Sequence, residues 1–161
     1  MVVDLDKGGR QPQVVNTYLG PTKGWTSTDS PVDIEWVIEG GGVLLPAGLK
    51  APILSPDWLI INSWTILGYA VGSIVFDIYK ITEAQYLAGT IPSAGNSICG
   101  SAKPTLSSAV SGSSSTLTGW TTRINQNDVL ALNIDSISSF TGISLILKCS
   151  RSIGQFSAPL T

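Results

Sequence analysis

Asp33-Ile34-Glu35-Trp36-Val37-Ile38-Glu39 decides the fold class. Successive side chains of an extended chain point to opposite faces, so this order sends Ile34, Trp36 and Ile38 to one side and Asp33, Glu35 and Glu39 to the other. That is the pattern of a half-buried strand. The same period of two recurs downstream. Ser73 to Lys80 turns Ile74, Phe76 and Ile78 inward against Ser73, Asp77 and Tyr79. Asp128 to Asp135 adds Leu130, Leu132 and Ile134, and Ile143, Leu145 and Leu147 alternate with Ser144, Ile146 and Lys148.

Between these runs stand turn formers: Gly40-Gly41-Gly42, Pro46, Ser55-Pro56-Asp57, Gly68 to Gly72, and Asn125-Gln126-Asn127-Asp128. No segment carries a clean 3.6-residue period, and the one short helix expected is Thr82 to Leu87. Many short strands broken by turns predict an all-β, jelly-roll-like antiparallel β-sandwich. Trp58 to Phe76 is uncharged for 19 residues, the length of a membrane span. Asp57 and Asp77 flank it where a basic cluster would be needed, and it contains Asn62, Ser63, Gly68 and Gly72. Two strands joined by a turn are expected there, with Trp58 to Leu67, apolar on both faces, sitting centrally in the sheet or carrying a second buried contact. Gly89 to Ser115, rich in Gly, Pro, Ser and Thr, is expected to be a long surface loop.

Residues 1–30 have no strand-length alternation and read as an extended N-terminal arm, leaving 31–161 as the β domain. The arm carries Val14, Val15, Tyr18, Leu19 and Trp25, too apolar a set for a solvated tail. These five are the candidate partner-binding residues. Trp36, Trp64 and Trp120 read instead as core plugs.

Composition removes much chemistry. There is no His, which excludes a Ser-His-Asp triad, a Cys-His pair and an imidazole metal site. Only 12% of residues are charged, the net charge is −2, and the nine basic residues are scattered, so no nucleic-acid footprint is expected. Cys99 and Cys149 are isolated thiols without metal-ligand spacing and read as small buried residues; a disulfide between them stays open at this level. Met1 to Lys7 is acidic where a signal peptide is basic, so folding in a reducing cytosol is expected. Asp33, Glu35 and Glu39 lie along one strand face rather than across a cleft, the place of an edge-protecting row and not of a glycosidase pair. Asp77 and Asp135 are expected to be outward and solvated. Gly40-Gly41-Gly42 lacks the GxxxxGK[ST] continuation of a phosphate loop, and Asn125, Asn127 and Asp128 are too few for a calcium loop. No metal, cofactor or catalytic residue is expected.

Five ordered blocks carry a resemblance: Gly72-Ser73-Ile74-Val75-Phe76-Asp77-Ile78-Tyr79-Lys80; Ser97 to Ala109 with Gly100-Ser101-Ala102-Lys103-Pro104-Thr105-Leu106; Thr116-Leu117-Thr118-Gly119-Trp120-Thr121-Thr122; Asp128 to Ser136; and Ser144-Leu145-Ile146-Leu147-Lys148. Over about residues 34 to 149 the chain resembles a small module of tailed-bacteriophage virion proteins, structural and tail-fibre proteins among them. Gln126-Asn127 departs from it, standing where a Gly-Asp turn is expected. The resemblance implies a jelly-roll-like domain on a virion assembled in the host cytoplasm, commonly a homotrimer. With no heptads or repeats to build a fibre shaft, a capsid decoration (cement) protein bound to the major capsid protein is the first expectation. The alternative is a tail-fibre tip binding host-surface glycan, with its site in Gly89 to Ser115. A glycan-cleaving enzyme is disfavoured by the absent His and the carboxylate pattern, and neither a nucleic acid nor a membrane is expected as a partner.

Overall fold

The computed structural model describes residues 16–18, 25–27 and 31–152. Within residues 1–30 the described backbone is a two-stranded antiparallel ladder, β1 (Asn16–Tyr18) and β2 (Trp25–Ser27), with Tyr18 opposite Trp25. The remaining strands are β3 (Pro31–Glu39), β4 (Gly48–Leu54), β5 (Leu59–Thr82), β6 (Thr105–Ser114), β7 (Arg123–Ile124), β8 (Asp128–Ser138) and β9 (Gly142–Arg151). They form one curled antiparallel sheet in the order β3-β9-β5-β8-β4, with β6 and β7 also paired to β5. The result is an all-β, jelly-roll-like antiparallel sandwich.

The 24 residues of β5 serve both layers. Leu59 to Gly68 pairs with β9, whereas Ser73 to Thr82 pairs with β8. Along the first half, inward residues line up across three strands: Ile34, Leu147 and Trp64 in one rung, Trp36, Leu145 and Ile66 in the next. Along the second half, Phe76 faces Ile134 and Ile78 faces Leu132. All ten belong to one buried core. A register shift between Ile61 and Ser63 leaves Asn62 as an extra residue, which moves the inward set from odd positions (Leu59, Ile61) to even ones (Trp64, Ile66).

The expectation of two strands and a turn over Trp58 to Phe76 is therefore corrected to one strand that bends. Gly68 and Gly72 sit at the bend because something lies against them. A Cβ on Gly68 would stand 2.4 Å from the buried Phe140 ring, and one on Gly72 would stand 2.5 Å from the Ser138 carbonyl oxygen and 2.8 Å from the same ring. These glycines mark close backbone approach, not chain reversal.

The second correction concerns Gly89 to Ser115. Its last third is β6, running along β5 from Val75 opposite Thr105 to Trp64 opposite Ser114. Its Ser-rich sequence hides it, since it is held by backbone hydrogen bonds and buries few side chains. Before it come a 3-10 turn (Ala94–Asn96) and the buried pair Ile98 and Cys99. The short helix is α1 (Glu83–Leu87), where Thr82 as N-cap accepts from the Gln85 amide and the Gln85 side chain accepts in return from the Thr82 amide. Gly40 to Gly42 forms the expected turn after β3, and β3 is an edge strand with Asp33, Glu35 and Glu39 exposed along it.

Gly72→Ala should destabilise the domain by about 1–3 kcal/mol in urea or thermal unfolding, because the new methyl must displace backbone and a buried ring. Gly95→Ala, with nothing within 4 Å and no positive φ, is the control and should change little. Equal stability of the two variants would contradict the close-approach reading of the bend.

Candidate functional site

Asp77 occupies an outward position of β5 and is nevertheless 1% exposed, which overturns the expectation of a solvated carboxylate. The chain between α1 and β6 folds back along β5 and covers it. Ser97 bridges to Tyr79, the Ile98 amide donates to the Ile78 carbonyl at 2.9 Å, and the Phe76 amide donates to the Pro104 carbonyl at 2.9 Å. Tyr79, also expected outward, is buried with Asp77. Pro104 keeps Lys103 out of the helical region, so Lys103 stays extended along β5.

Lys103 Nζ consequently lies 2.8 Å from Asp77 Oδ2 and 2.7 Å from Asp135 Oδ2. Ser97 Oγ donates to Asp77 Oδ1 at 2.6 Å, and the Ile78 amide donates to the same oxygen at 2.8 Å. Asn133 Nδ2 donates to Asp135 Oδ1 at 2.6 Å. Each of the four carboxylate oxygens thus has a protein donor. Asp135 is solvent-accessible but ion-paired, not free as expected, and it is the extra residue where β8 shifts register against Val75 and Phe76.

The hydrogen bonds to Asp135 and then Asp77 hold the Lys103 ammonium charged well above the ordinary lysine value. For a lysine raised in this way, the stabilisation is complete below the ordinary value of 10.5 and is lost only in stronger alkali. Burial, followed by Asp77 and Asp135, raises the Tyr79 hydroxyl in the same direction. The cluster is a clamp that fastens the 97–104 segment to both β5 and β8.

Three of the resembling blocks supply one member each: Asp77 from the first, Lys103 from the second and Asp135 from the fourth. Asp77 had a signal in the sequence, a lone carboxylate in Ile74-Val75-Phe76-Asp77-Ile78-Tyr79, where both faces carry bulky apolar residues. Its partners are 26 and 58 residues away, and nothing local announces them.

The other candidates resolve as follows. Asp128 Oδ2 accepts from the Asn125 amide at 2.8 Å and lies 3.4 Å from Lys80 Nζ, so this carboxylate closes its own turn. Asn127 sits at φ +67° in that turn, a conformation asparagine tolerates, which accounts for Gln126-Asn127 in place of a glycine turn. Trp36 and Trp64 are buried; Trp120 packs against the core half-buried and donates from Nε1 to the Ala102 carbonyl at 2.8 Å. Cys99 and Cys149 are buried free thiols, and burial pushes Cys149 up to about 12 and Cys99 further still. Of the arm residues, Tyr18 and Trp25 are paired in backbone register in the β1-β2 ladder, and Val14, Val15 and Leu19 lie outside the described residues.

A shallow groove of about 450 Å³ opens on the outward face of the first layer. It is lined by six hydroxyls, those of Ser63, Thr65 and the run Ser113 to Thr116, and by the Lys148 ammonium. Among the described residues, no aromatic ring lines it. The glycan site expected within Gly89 to Ser115 overlaps this groove only at its last residues.

No family model matches the chain, and no curated protein matches it.

Lys103→Ala strands Asp77 without its counter-ion and should cost about 2–3 kcal/mol of unfolding free energy, below the usual loss for a fully buried pair because the ammonium keeps some solvent. Asp135→Ala, which leaves the Lys103–Asp77 contact in place, should cost about 1 kcal/mol. The reverse order would contradict the clamp. Separately, a thiol reagent at mildly alkaline pH should label neither cysteine of the native protein and both after unfolding; rapid native labelling would show that the two thiols are not in the core.

Proposed function

We propose that the chain is a non-enzymatic structural protein of a tailed-bacteriophage virion, a capsid decoration (cement) protein that sits on the particle as a homotrimer. The observation that carries this reading is the resemblance of the five blocks, and the Asp77–Lys103–Asp135 clamp agrees with a structural role because its chemistry is that of a fastener. A structural role also agrees with the chemistry on the page. Asp77 and Asp135 are held by a shared ammonium, and Asp33, Glu35 and Glu39 lie along one edge strand instead of across a cleft.

Attachment in this proposal runs through the arm to neighbouring virion proteins, the major capsid protein first among them. Val14, Val15, Tyr18, Leu19 and Trp25 offer several apolar side chains, each contributing roughly 1.5–3 kcal/mol when fully buried, before the cost of ordering the segment. Three such arms on one trimer add through effective concentration. Hundreds of copies per particle would support a shell position; tens or fewer would favour the tail.

A second reading, a glycan-binding fibre tip, is favoured by the hydroxyl-lined groove with Lys148 at its side. It is the weaker one because no ring in the groove stacks on a sugar face. Incubation with host polysaccharide separates the readings: retention on immobilised polysaccharide that Thr65→Ala or Lys148→Ala abolishes would favour the tip, and release of oligosaccharide would make the protein an enzyme.

Deleting residues 1 to 26 should leave a folded β domain whose co-sedimentation with particles lacking the protein is strongly weakened, and Trp25→Ala should weaken it in part. Undiminished binding of the truncated chain would move the anchor elsewhere.

A further inference from the structure

Where β5 bends, large apolar side chains stand outside the fold. Leu67, Tyr69 and Val71 are exposed along the bend, Tyr69 by 72%, and Val110 of β6 is exposed beside them. Val37 and Leu67 flank Ser144 from either side, since both pair with it across β9, so their side chains share one face. The Tyr69 ring lies over Gly142, where a Cβ would stand 2.6 Å from it, and its hydroxyl donates to Glu39 Oε1 at 2.6 Å. Val43 and Leu44 extend the surface, as their turn is hydrogen-bonded to Phe140 and Thr141 at the same end of the sandwich. The ring is thus fixed at one edge, not buried, and presented.

We propose that this end of the sandwich is the surface through which the chain associates with a second copy of itself. Area and charge argue for that occupant. At their fractional exposures these side chains present on the order of 600 Å² of apolar surface, at the top of what a typical monomer shows in one patch. Three such patches meeting around a threefold axis bury roughly 1,800 Å² in all, the scale of a specific interface. Among the described residues of the patch the one formal charge is Glu39, which is tied to Tyr69 at its rim, so copies meet there with little like-charge repulsion and no charged partner is selected. The inference rests on the homotrimer reading above and gives that assembly its contact surface.

The test is sedimentation velocity of the purified full chain at micromolar concentration, without virions, for wild type, Tyr69→Lys and Val71→Lys. Wild type should associate, and each lysine should weaken association about tenfold or more while leaving far-UV circular dichroism and melting unchanged. Should either variant lose its fold, Val110→Lys, at an exposed position outside the bend, takes its place, and hydrogen exchange at Tyr69 to Val71 should slow as wild-type concentration rises. Variants that associate as strongly as wild type overturn this surface while leaving the oligomer standing. A wild type that stays monomeric overturns both the surface and the homotrimer. Neither result bears on particle attachment, which is measured separately.

Discussion

Every strand of the seven-stranded sheet is paired either to β5 or to a strand that β5 pairs. Its first half gives Leu59, Ile61, Trp64 and Ile66 to one inner face, and its second half gives Ile74, Phe76 and Ile78 to the other. A strand of this length can belong to two layers only if it bends without losing its neighbours. Gly68 and Gly72 make that bend by letting the Phe140 ring and the Ser138 carbonyl approach the backbone. The exposed Tyr69 and Val71 of the bend follow from the same geometry, because residues between the layers have no inner face to enter.

The second half of β5 is buried on both sides, and that raises the problem of Asp77. A carboxylate removed from water without a partner costs several kcal/mol, so the fold must bring it a cation. Lys103 fills that place, and its short contacts with Asp77 and Asp135 tie a long connection to two central strands. The clamp is therefore an electrostatic answer to burial, and its chemistry is that of a fastener. This is also why Asp77, Lys103 and Asp135, far apart in the sequence, depend on one another in space.

Strand class and facing were legible in the sequence wherever one face meets water: β3 and β9 show their alternation, and Ile34, Trp36, Leu145 and Leu147 are in the core where the period puts them. The helix start was legible too, since Thr82 and Gln85 cap locally. Legibility failed where tertiary contact overrides local pattern. Gly68 and Gly72 read as a turn because the sequence does not reveal that Phe140 will lie on them. Thr105 to Ser114 read as a loop because an edge-paired strand with mostly exposed side chains needs no apolar alternation. Asp77 read as solvated because its cover comes from residues 20 and more positions away. The bulge at Asn62 explains why the apolar set between Leu59 and Ile66 changes parity, which a strict period of two cannot represent.

Native-state hydrogen exchange on the full chain tests the central claim, that β5 makes the two layers one cooperative unit. The account predicts that the slowest amides of Ile61 to Ile66 and of Phe76 to Ile81 exchange with a common free energy equal to that of global unfolding, and that both respond equally to added denaturant. If the two halves of β5 instead open separately, with different free energies and different denaturant dependence, the layers are independent and the account is wrong.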